Sequence, residues 1–190
     1  MISVMNKDSQ RRKIHPHKFT MWVAIGSIVM MFAGLTSAYI VKRNQPGWTG
    51  FSMPIIFWYS TAVLLLSSLT MQFSLKAFNQ RETAKYRNLL TVTSVLGLLF
   101  IAMQIIGFSQ LWSTGVQMRG SGAAQFMYII FGLHALHVLG GVIALLAMFF
   151  KAWNPRVRSY NPVPVEVLGT YWHFVDLLWI YLFVFILYIQ

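Results

Sequence analysis

The sequence contains no cysteine among its 190 residues. A chain without thiols cannot form disulfides, iron–sulfur clusters or thiolate metal sites, and it cannot attach haem through a C-x-x-C-H motif. The chain also lacks a serine–histidine hydrolase motif, a phosphate-binding loop and an H-E-x-x-H helix. These absences exclude the corresponding hydrolase, nucleotide-binding and metalloprotease chemistries.

Charged residues are scarce. They make up 10% of the chain, whereas hydrophobic residues make up 57%, and a soluble domain usually carries about a quarter of its residues as charges. The net charge of +11 would suggest a nucleic-acid partner in a soluble protein. Here the basic residues lie in short segments between long apolar runs, which indicates membrane topology and no nucleic-acid partner.

Five apolar runs are long enough to cross a bilayer, for which a helix needs about 20 mostly apolar residues. We number these spans one to five; they cover residues 19–41, 53–75, 89–112, 125–150 and 167–189. The first run lacks a small-residue cleavage pattern, so we expect it to remain as an anchor. The sequence therefore predicts an all-α polytopic bundle, with a tail at residues 1–18 and a five-helix transmembrane domain at residues 19–190.

Lysine and arginine are distributed unevenly between the two ends of the spans. One side carries Lys7, Arg11, Arg12, Lys13 and Lys18 in the tail, Lys76, Arg81, Lys85 and Arg87 in the second connector, and Lys151, Arg156 and Arg158 in the fourth. The other side carries only Lys42, Arg43 and Arg119. Because basic segments stay inside, this bias of twelve to three predicts a cytoplasmic N-terminus and a periplasmic C-terminus.

Two local features fit these spans. Aromatic residues near the span ends are typical of an interfacial belt; they are Trp22, Trp48, Trp58, Trp112, Trp153, Tyr171 and Trp172. Pro54 is expected in the first turn of span two, where its missing N–H costs nothing.

Small or polar residues repeat at seven-residue spacing, which places each set on one helix face. The sets are Gly26 and Ala33 with Ser27, Gly34 and Ser37 in span one, Ser60, Ser67 and Ser74 in span two, and Gly97 and Gln104 in span three. Small side chains let helices approach closely in lipid. We therefore expect these faces to mediate helix packing.

Spans four and five differ, because they contain the titratable groups within the predicted membrane region. These groups are His134 and His137 in span four, and His173 and Asp176 in span five, with Glu166 just before that span. Ionisable side chains inside a membrane are expensive and need partners. The two spans run antiparallel, and Asp176 and His137 fall at comparable depths, so the sequence allows a buried His–Asp contact.

Three interpretations of this cluster remain open from the residues alone. The leading one is a polar clamp that fixes spans four and five against each other. The second is a metal or haem site, in which His134 and His173 would supply ligands from separate helices. The third is a proton relay built from histidine, aspartate and glutamate side chains.

Two segments resemble a known family. Residues 171–179 read YWHFVDLLW, which resembles the signature of the last helix of haem-copper (cytochrome c) oxidase subunit III, and Glu166 stands where that family also has a glutamate. Residues 131–138, FGLHALHV, are similar to the family's G-x-H-x-x-H-V helix. Weaker similarities are LLLSSLT at residues 64–70 and Gln104.

The resemblance implies the short, five-helix bacterial form of a seven-helix family. It implies an accessory subunit of a terminal oxidase, a cytochrome c oxidase that reduces oxygen to water and pumps protons in the bacterial cytoplasmic (inner) membrane. Such a subunit has no cofactor of its own. The haem and copper are expected in the partner subunits. Subunit I is its main contact among the subunits of the respiratory complex, structural phospholipids bind between its helices, and it supports proton uptake.

This resemblance argues against the haem-ligand interpretation and favours a structural role for the cluster in spans four and five. We expect no catalytic, cofactor-binding or metal-binding residue in the chain. The structural polar seam of spans four and five would consist of His134, His137, Glu166, His173 and Asp176, with Gln104 as another buried polar residue.

The chain departs from the family at one position. Ile28 stands where the long form has a glutamate in an S-E-x-M-F-F segment, so no role of that carboxylate transfers to this chain.

Other functions remain as alternatives to the accessory oxidase subunit. They are a nitric-oxide-reductase accessory protein of the same superfamily and a stand-alone proton-coupled membrane transporter. A quinol oxidase also remains open, because the electron donor binds elsewhere in such complexes.

Overall fold

The computed structural model describes residues 16–43, 53–113, 122–153 and 162–189. Every predicted span is a helix: α1 is Pro16–Arg43, α2 is Ile56–Asn79, α3 is Thr83–Ser113, α4 is Gly122–Trp153 and α5 is Pro162–Ile189. The described residues contain no strand. All five helices are long and apolar enough to cross a membrane, which confirms the all-α prediction with five spans.

The helices extend past most of the apolar runs that predicted them. α3 begins at Thr83, six residues before the predicted span, because its polar first turns continue the helix into the interfacial region. α2 instead begins at Ile56, and Pro54 lies before its N-cap rather than in its first turn. The Pro54 carbonyl accepts a hydrogen bond from the Phe57 N–H at 3.2 Å. Most of the predicted tail, residues 1–15, lies outside the described residues.

A tight turn at residues 80–82 joins α2 to α3. Arg81 has a positive φ of 60°, a left-handed conformation that is uncommon for residues other than glycine. The turn is closed by backbone hydrogen bonds from the Arg81 N–H to the Phe78 carbonyl and from the Glu82 N–H to the Ala77 carbonyl, each at 3.0 Å. These bonds satisfy carbonyls at the end of α2 and set α3 antiparallel beside it.

α5 forms the centre of the bundle. It packs against α1, α2 and α4, while α3 packs against α2 and α4, and α4 also packs against α1. Within the described residues, α1 and α2 do not pack against each other. This arrangement leaves a gap between α1 and α2 beside the first turns of α5.

The packing prediction from small residues is confirmed in α2 and α3, whereas the small residues of α1 do not pack against the other helices of this chain. Ser60, Ser67 and Ser74 are fully buried, and Gly97 and Gln104 are buried as well. The small residues of α1, which are Gly26, Ser27, Ala33, Gly34 and Ser37, are exposed instead. The opposite face of α1, with the buried Phe32 and Tyr39, packs against the bundle, because large aromatic side chains fill the space that α4 and α5 leave there.

Trp172 is not part of an interfacial belt. The side chains of Trp22, Trp58, Trp112 and Trp153 are 65%, 56%, 54% and 53% exposed, as the belt prediction requires, but Trp172 is only 1% exposed. α5 begins at Pro162, so Trp172 lies about 15 Å along the helix axis, well inside the bundle. Trp48, which the same prediction includes, lies outside the described residues.

Candidate functional site

His134 is enclosed by aromatic rings near the middle of α4. The side chain is 1% exposed, and its ring centroid lies 5.2 Å from that of Trp179 and 6.4 Å from that of Phe32. Neither ring nitrogen has a hydrogen-bond partner. The imidazole therefore contacts α1 and α5 through packing alone.

His137 lies one turn further along α4 and is half-buried. Its Nδ1 atom is 2.7 Å from the Leu133 carbonyl of the preceding turn. Its own backbone carbonyl accepts a hydrogen bond from the Tyr171 hydroxyl at 2.9 Å. This bond connects α5 directly to the backbone of α4.

His173 is bonded to α2 rather than to α4. Its Nδ1 atom lies 2.7 Å from the Ser68 hydroxyl, and its Nε2 atom lies 3.1 Å from the side-chain oxygen of Gln72. Both ring nitrogens are therefore occupied by polar side chains of a single helix.

Asp176 is buried without a hydrogen bond. The side chain is 3% exposed, and neither carboxyl oxygen has a hydrogen-bond partner. The contact with His137 that the sequence allows is not formed.

Glu166 lies at the beginning of α5 and forms an ion pair with Lys18 of α1, with 2.6 Å between Nζ and Oε2. Both side chains are partly exposed. An exposed ion pair of this kind contributes about 1 kcal/mol or less. Glu166 thus connects α5 to α1 at the edge of the bundle.

Gln104 is buried in α3 and donates a hydrogen bond to the Ser60 hydroxyl of α2 at 2.9 Å. Its side-chain oxygen has no hydrogen-bond partner. Gln104 and His134 both line a cavity of about 270 Å³ between α3 and α4, whose other walls are mainly apolar.

A larger cleft of about 790 Å³ lies in the gap between α1 and α2. Lys18, Gln72, Lys76, Glu166 and His173 are among its lining residues, together with Trp22 and Phe73. The cleft is at the end of the bundle where the predicted cytoplasmic lysines lie, and it reaches His173 inside the helix packing.

The sequence did not identify Trp172 as the central packing residue. Its indole N–H donates to the Ser67 hydroxyl of α2 at 3.1 Å. A methyl group placed on Gly97 of α3 would lie 3.0 Å from the ring, and one on Gly141 of α4 would lie 3.1 Å from it. The available signal was the seven-residue spacing of Gly97 and Gln104 in span three and of His134 and Gly141 in span four, but this spacing does not identify the side chain that packs against the two glycines.

The chain matches the family model described as Cytochrome c oxidase subunit III over residues 17–190. It belongs to the cytochrome c oxidase subunit III family. The match covers all five helices except Pro16 of α1, so family membership applies to the whole bundle.

Bacterial proteins are similar over most of their length. The chain is 30% identical over 189 residues to the probable cytochrome c oxidase subunit 3 of Mycobacterium tuberculosis, with 94% of this chain and 93% of that protein covered. It is 26% identical over 167 residues to the cytochrome c oxidase subunit 3 of a Bacillus species, with 85% and 80% covered. It is 28% identical over 170 residues to the cytochrome bo(3) ubiquinol oxidase subunit 3 of Pseudomonas aeruginosa, with 87% and 81% covered.

Within the described part of this subunit III chain, no three side chains of His, Cys, Asp or Glu gather as a metal site would require. The two histidines considered as haem ligands instead make contacts with neighbouring helices. His173 has both nitrogens hydrogen-bonded to α2, and His134 is covered by Trp179 and Phe32. Both residues contact neighbouring helices through these groups.

Proposed function

We propose that the chain is accessory subunit III of a bacterial haem-copper terminal oxidase, a cytochrome c oxidase that reduces oxygen to water and pumps protons. The observation that supports this most strongly is the family match over residues 17–190, together with similar oxidase subunits in several bacteria. The complex would lie in the inner membrane. The bias of lysine and arginine supports a cytoplasmic N-terminus for this subunit.

In this proposal the subunit carries no redox centre, and the haem and copper belong to its partner subunits. The polar residues of α4 and α5 then act structurally. Tyr171 and Trp179 join α5 to α4 through the His137 carbonyl and the His134 ring. His173 and Glu166 extend the same set of contacts from α5 to α2 and α1.

The exposed small residues of α1 are the surface where another oxidase subunit would pack. A methyl group placed on Gly26 or on Gly34 would have no neighbouring side chain within 4 Å, and Ala33 is exposed between them in sequence. A helix of the partner, with subunit I as the main candidate, could approach this face closely because no large side chain intervenes.

One pair of variants tests this surface. Ala33→Leu should reduce the amount of catalytic subunit recovered with the tagged chain, because the added bulk separates the helices. Ala102→Leu is the matched control, since Ala102 is also exposed but lies on α3. Equal recovery with both variants would show that α1 is not the packing surface.

We also propose that structural phospholipids occupy the gap between α1 and α2. Trp22 and Phe73 offer apolar contacts for acyl chains, while Lys18 and Lys76 are placed for the phosphate groups. Hydrated headgroups at this position would keep water in contact with the cleft. Mass spectrometry of lipids retained by the purified complex, with Lys76→Ala compared with the unaltered chain, measures this binding.

The proposed function is tested by purifying the complex in mild detergent through a tag on this subunit. The expected result is a haem-containing oxidase, identified by mass spectrometry of its subunits and by its absorption spectrum. A preparation without a haem protein would refute the proposal. A nitric-oxide reductase or a chain that transports protons alone would be recognised in the same preparation.

A quinol oxidase is the second candidate, supported by the similarity to the ubiquinol oxidase subunit of Pseudomonas aeruginosa. The purified complex distinguishes the two candidates through its electron donor. Oxygen consumption with reduced cytochrome c supports the first candidate, and oxygen consumption with ubiquinol alone supports the second.

A further inference from the structure

Two buried polar side chains line the cavity between α3 and α4 without a complete set of hydrogen bonds. His134 and Gln104 border this cavity of about 270 Å³, and they are 1% and 7% exposed. Among the described residues, neither ring nitrogen of His134 has a hydrogen-bond partner, and only one end of the Gln104 amide has one. Because buried polar groups are nearly always paired, a cavity bordered by two such side chains indicates a ligand that supplies their partners.

These polar atoms require a ligand group that can both donate and accept hydrogen bonds. A neutral imidazole carries its hydrogen on either nitrogen, and the Gln104 amide leaves either its oxygen or its NH₂ group free beside the bond to Ser60. A hydroxyl fits both orientations of the amide. It can donate to the amide oxygen while it accepts from the imidazole N–H, or accept from the NH₂ group while it donates to the imidazole nitrogen.

Water does not match the rest of the cavity. A volume of about 270 Å³ has room for several water molecules, since each occupies about 30 Å³ in the liquid and a buried one needs roughly two to four polar partners. Besides His134 and Gln104, the polar group on the lining residues is the indole N–H of Trp179, which already donates to Thr61 at 3.0 Å. Most of the volume therefore suits an apolar molecule.

The mouth of the cavity lies between two membrane-spanning helices. Ile105 of α3 and Leu136 and Leu139 of α4 belong to the lining, and all three are exposed on the outside of the bundle. Apolar residues at this position face the bilayer and not the aqueous phase. A ligand of the cavity would therefore enter from the membrane and would be soluble in it.

Aromatic rings make the inner wall suitable for a planar ring. The ring centroids of Phe131 and Phe100 lie 5.3 and 5.4 Å from that of Trp179, and all three line the cavity together with Phe108. Aromatic rings attract one another in offset and edge-to-face arrangements. An apolar cavity of about 150 Å³ binds benzene, so this larger cavity has room for one substituted ring. An acyl chain would leave the polar atoms of His134 and Gln104 unpaired.

We propose that the cavity between α3 and α4 binds the hydroxylated aromatic headgroup of a membrane-soluble phenol. The hydroxyl bonds to Gln104 and His134, the ring packs against the aromatic wall, and the apolar tail passes between α3 and α4 into the bilayer. An occupied site stabilises the contacts of α3 and α4 with Trp179 of α5, because a ligand that binds only the folded bundle favours it. A membrane quinol and a simpler phenolic lipid share this headgroup chemistry.

Photolabelling of the purified complex in lipid tests the site. A diazirine derivative of para-hexylphenol should attach to residues of α3 and α4 that line the cavity, as located by mass spectrometry of the peptides. Unlabelled para-hexylphenol should compete at a concentration about tenfold lower than hexylbenzene, which lacks the hydroxyl, when both are compared at their concentrations in the lipid. A factor of about ten is expected for one hydrogen bond.

Variants of the lining residues separate the polar and apolar parts of the site. Gln104→Leu and His134→Phe remove polar groups and should reduce the preference for the phenol over hexylbenzene. Gly132→Leu should abolish the labelling, because Gly132 lines the cavity and a Cβ atom there would have no neighbouring side chain within 4 Å. Gly140→Leu is the matched control, since Gly140 is also exposed on α4 and is not a lining residue.

Three outcomes would overturn the proposal: equal competition by the phenol and hexylbenzene in the native complex, labelling that falls outside α3 and α4, or native labelling in Gly132→Leu. If Gln104→Leu or His134→Phe does not assemble, the native complex and Gly132→Leu still decide.

A second competitor, decylubiquinol, distinguishes the two sources of the headgroup. Competition at a lower concentration than para-hexylphenol assigns the site to a quinol, and competition at a higher concentration assigns it to a smaller phenol. The labelling depends on residues of this chain alone. The haem content of the same preparation therefore tests the proposed function separately, whatever the labelling result.

Discussion

Trp172 of α5 donates its indole N–H to the Ser67 hydroxyl of α2 at 3.1 Å. The ring of the same tryptophan occupies the space that Gly97 of α3 and Gly141 of α4 leave open. One side chain therefore contacts three neighbouring helices at the same depth. Because both glycines lack a Cβ atom, the backbones of α3 and α4 can approach the ring closely, and this contact should contribute to the stability of the bundle.

Gly141→Leu should destabilise the bundle. A Cβ atom at this position would already lie 3.1 Å from the Trp172 ring, and overpacking of this kind costs about 1–3 kcal/mol. We expect the thermal unfolding temperature of the purified complex to fall. Gly140→Leu is the matched control, because a Cβ atom at Gly140 would have only the Tyr171 hydroxyl within 4 Å, at 3.9 Å. Equal effects of the two variants would contradict the packing role of Gly141.

The hydrogen bond between Trp172 and Ser67 can be measured with a double-mutant cycle. Ser67→Ala leaves a buried indole N–H without a partner, which costs about 1–3 kcal/mol. In a chain that already carries Trp172→Phe the same change should cost much less, because no N–H remains to be satisfied. Additive losses of stability in the double variant would show that the bond does not contribute.

Tyr171→Phe tests the connection between α4 and α5. It removes the hydroxyl that donates to the His137 carbonyl, and the loss of one such bond should lower the free energy of unfolding by about 1 kcal/mol. Tyr188→Phe is the control, since that tyrosine lies on the same helix and is 87% exposed. If thermal unfolding of the complex is unchanged in Tyr171→Phe, the bond from Tyr171 to the His137 carbonyl does not stabilise the contact between α4 and α5.

The orientation of the chain can be determined with single cysteines, because the natural sequence has none that would react. Gln80, in the turn before α3, and Ser113, the last residue of α3, are both exposed and lie on opposite sides of the predicted membrane region. With the N-terminus inside, Gln80→Cys should react with an impermeant maleimide only in inverted vesicles, and Ser113→Cys only in right-side-out vesicles. The reverse pattern would overturn the orientation predicted from lysine and arginine.

The spans could be predicted from the sequence because their length and apolar character follow from the thickness of the bilayer. Which side of each helix faces the bundle interior could not be predicted from the sequence. In a membrane both the lipid and the bundle interior are apolar, so hydrophobic residues do not distinguish the two sides. This is why the sequence does not show whether the small residues of α1 face the inside or the outside of the bundle, and why Trp172 was expected at the interface. In the structure the small residues of α1 face outward and Trp172 is buried.

The polar residues show the same limit. His173 and Asp176 could be recognised because charged or titratable groups are rare in membrane spans. Their neighbours could not be assigned, because that requires knowing that α5 packs against α2 as well as α4. Ser68 lies in the LLLSSLT segment noted in the sequence, and Gln72 lies just after it. Their bonds to His173 become visible only when the two helices are placed side by side.

The central place of α5 has a consequence for biosynthesis. α5 packs against α1, α2 and α4, yet it is the last of the five helices to leave the ribosome. Until it enters the bilayer, Ser67 has no indole to bond and the space beside Gly97 and Gly141 is unfilled. The first four helices can form the α2–α3, α3–α4 and α1–α4 contacts before α5 is made, but not the central contacts to α5. Chains released before α5 is made would be recognisable to membrane proteases by their unfilled core.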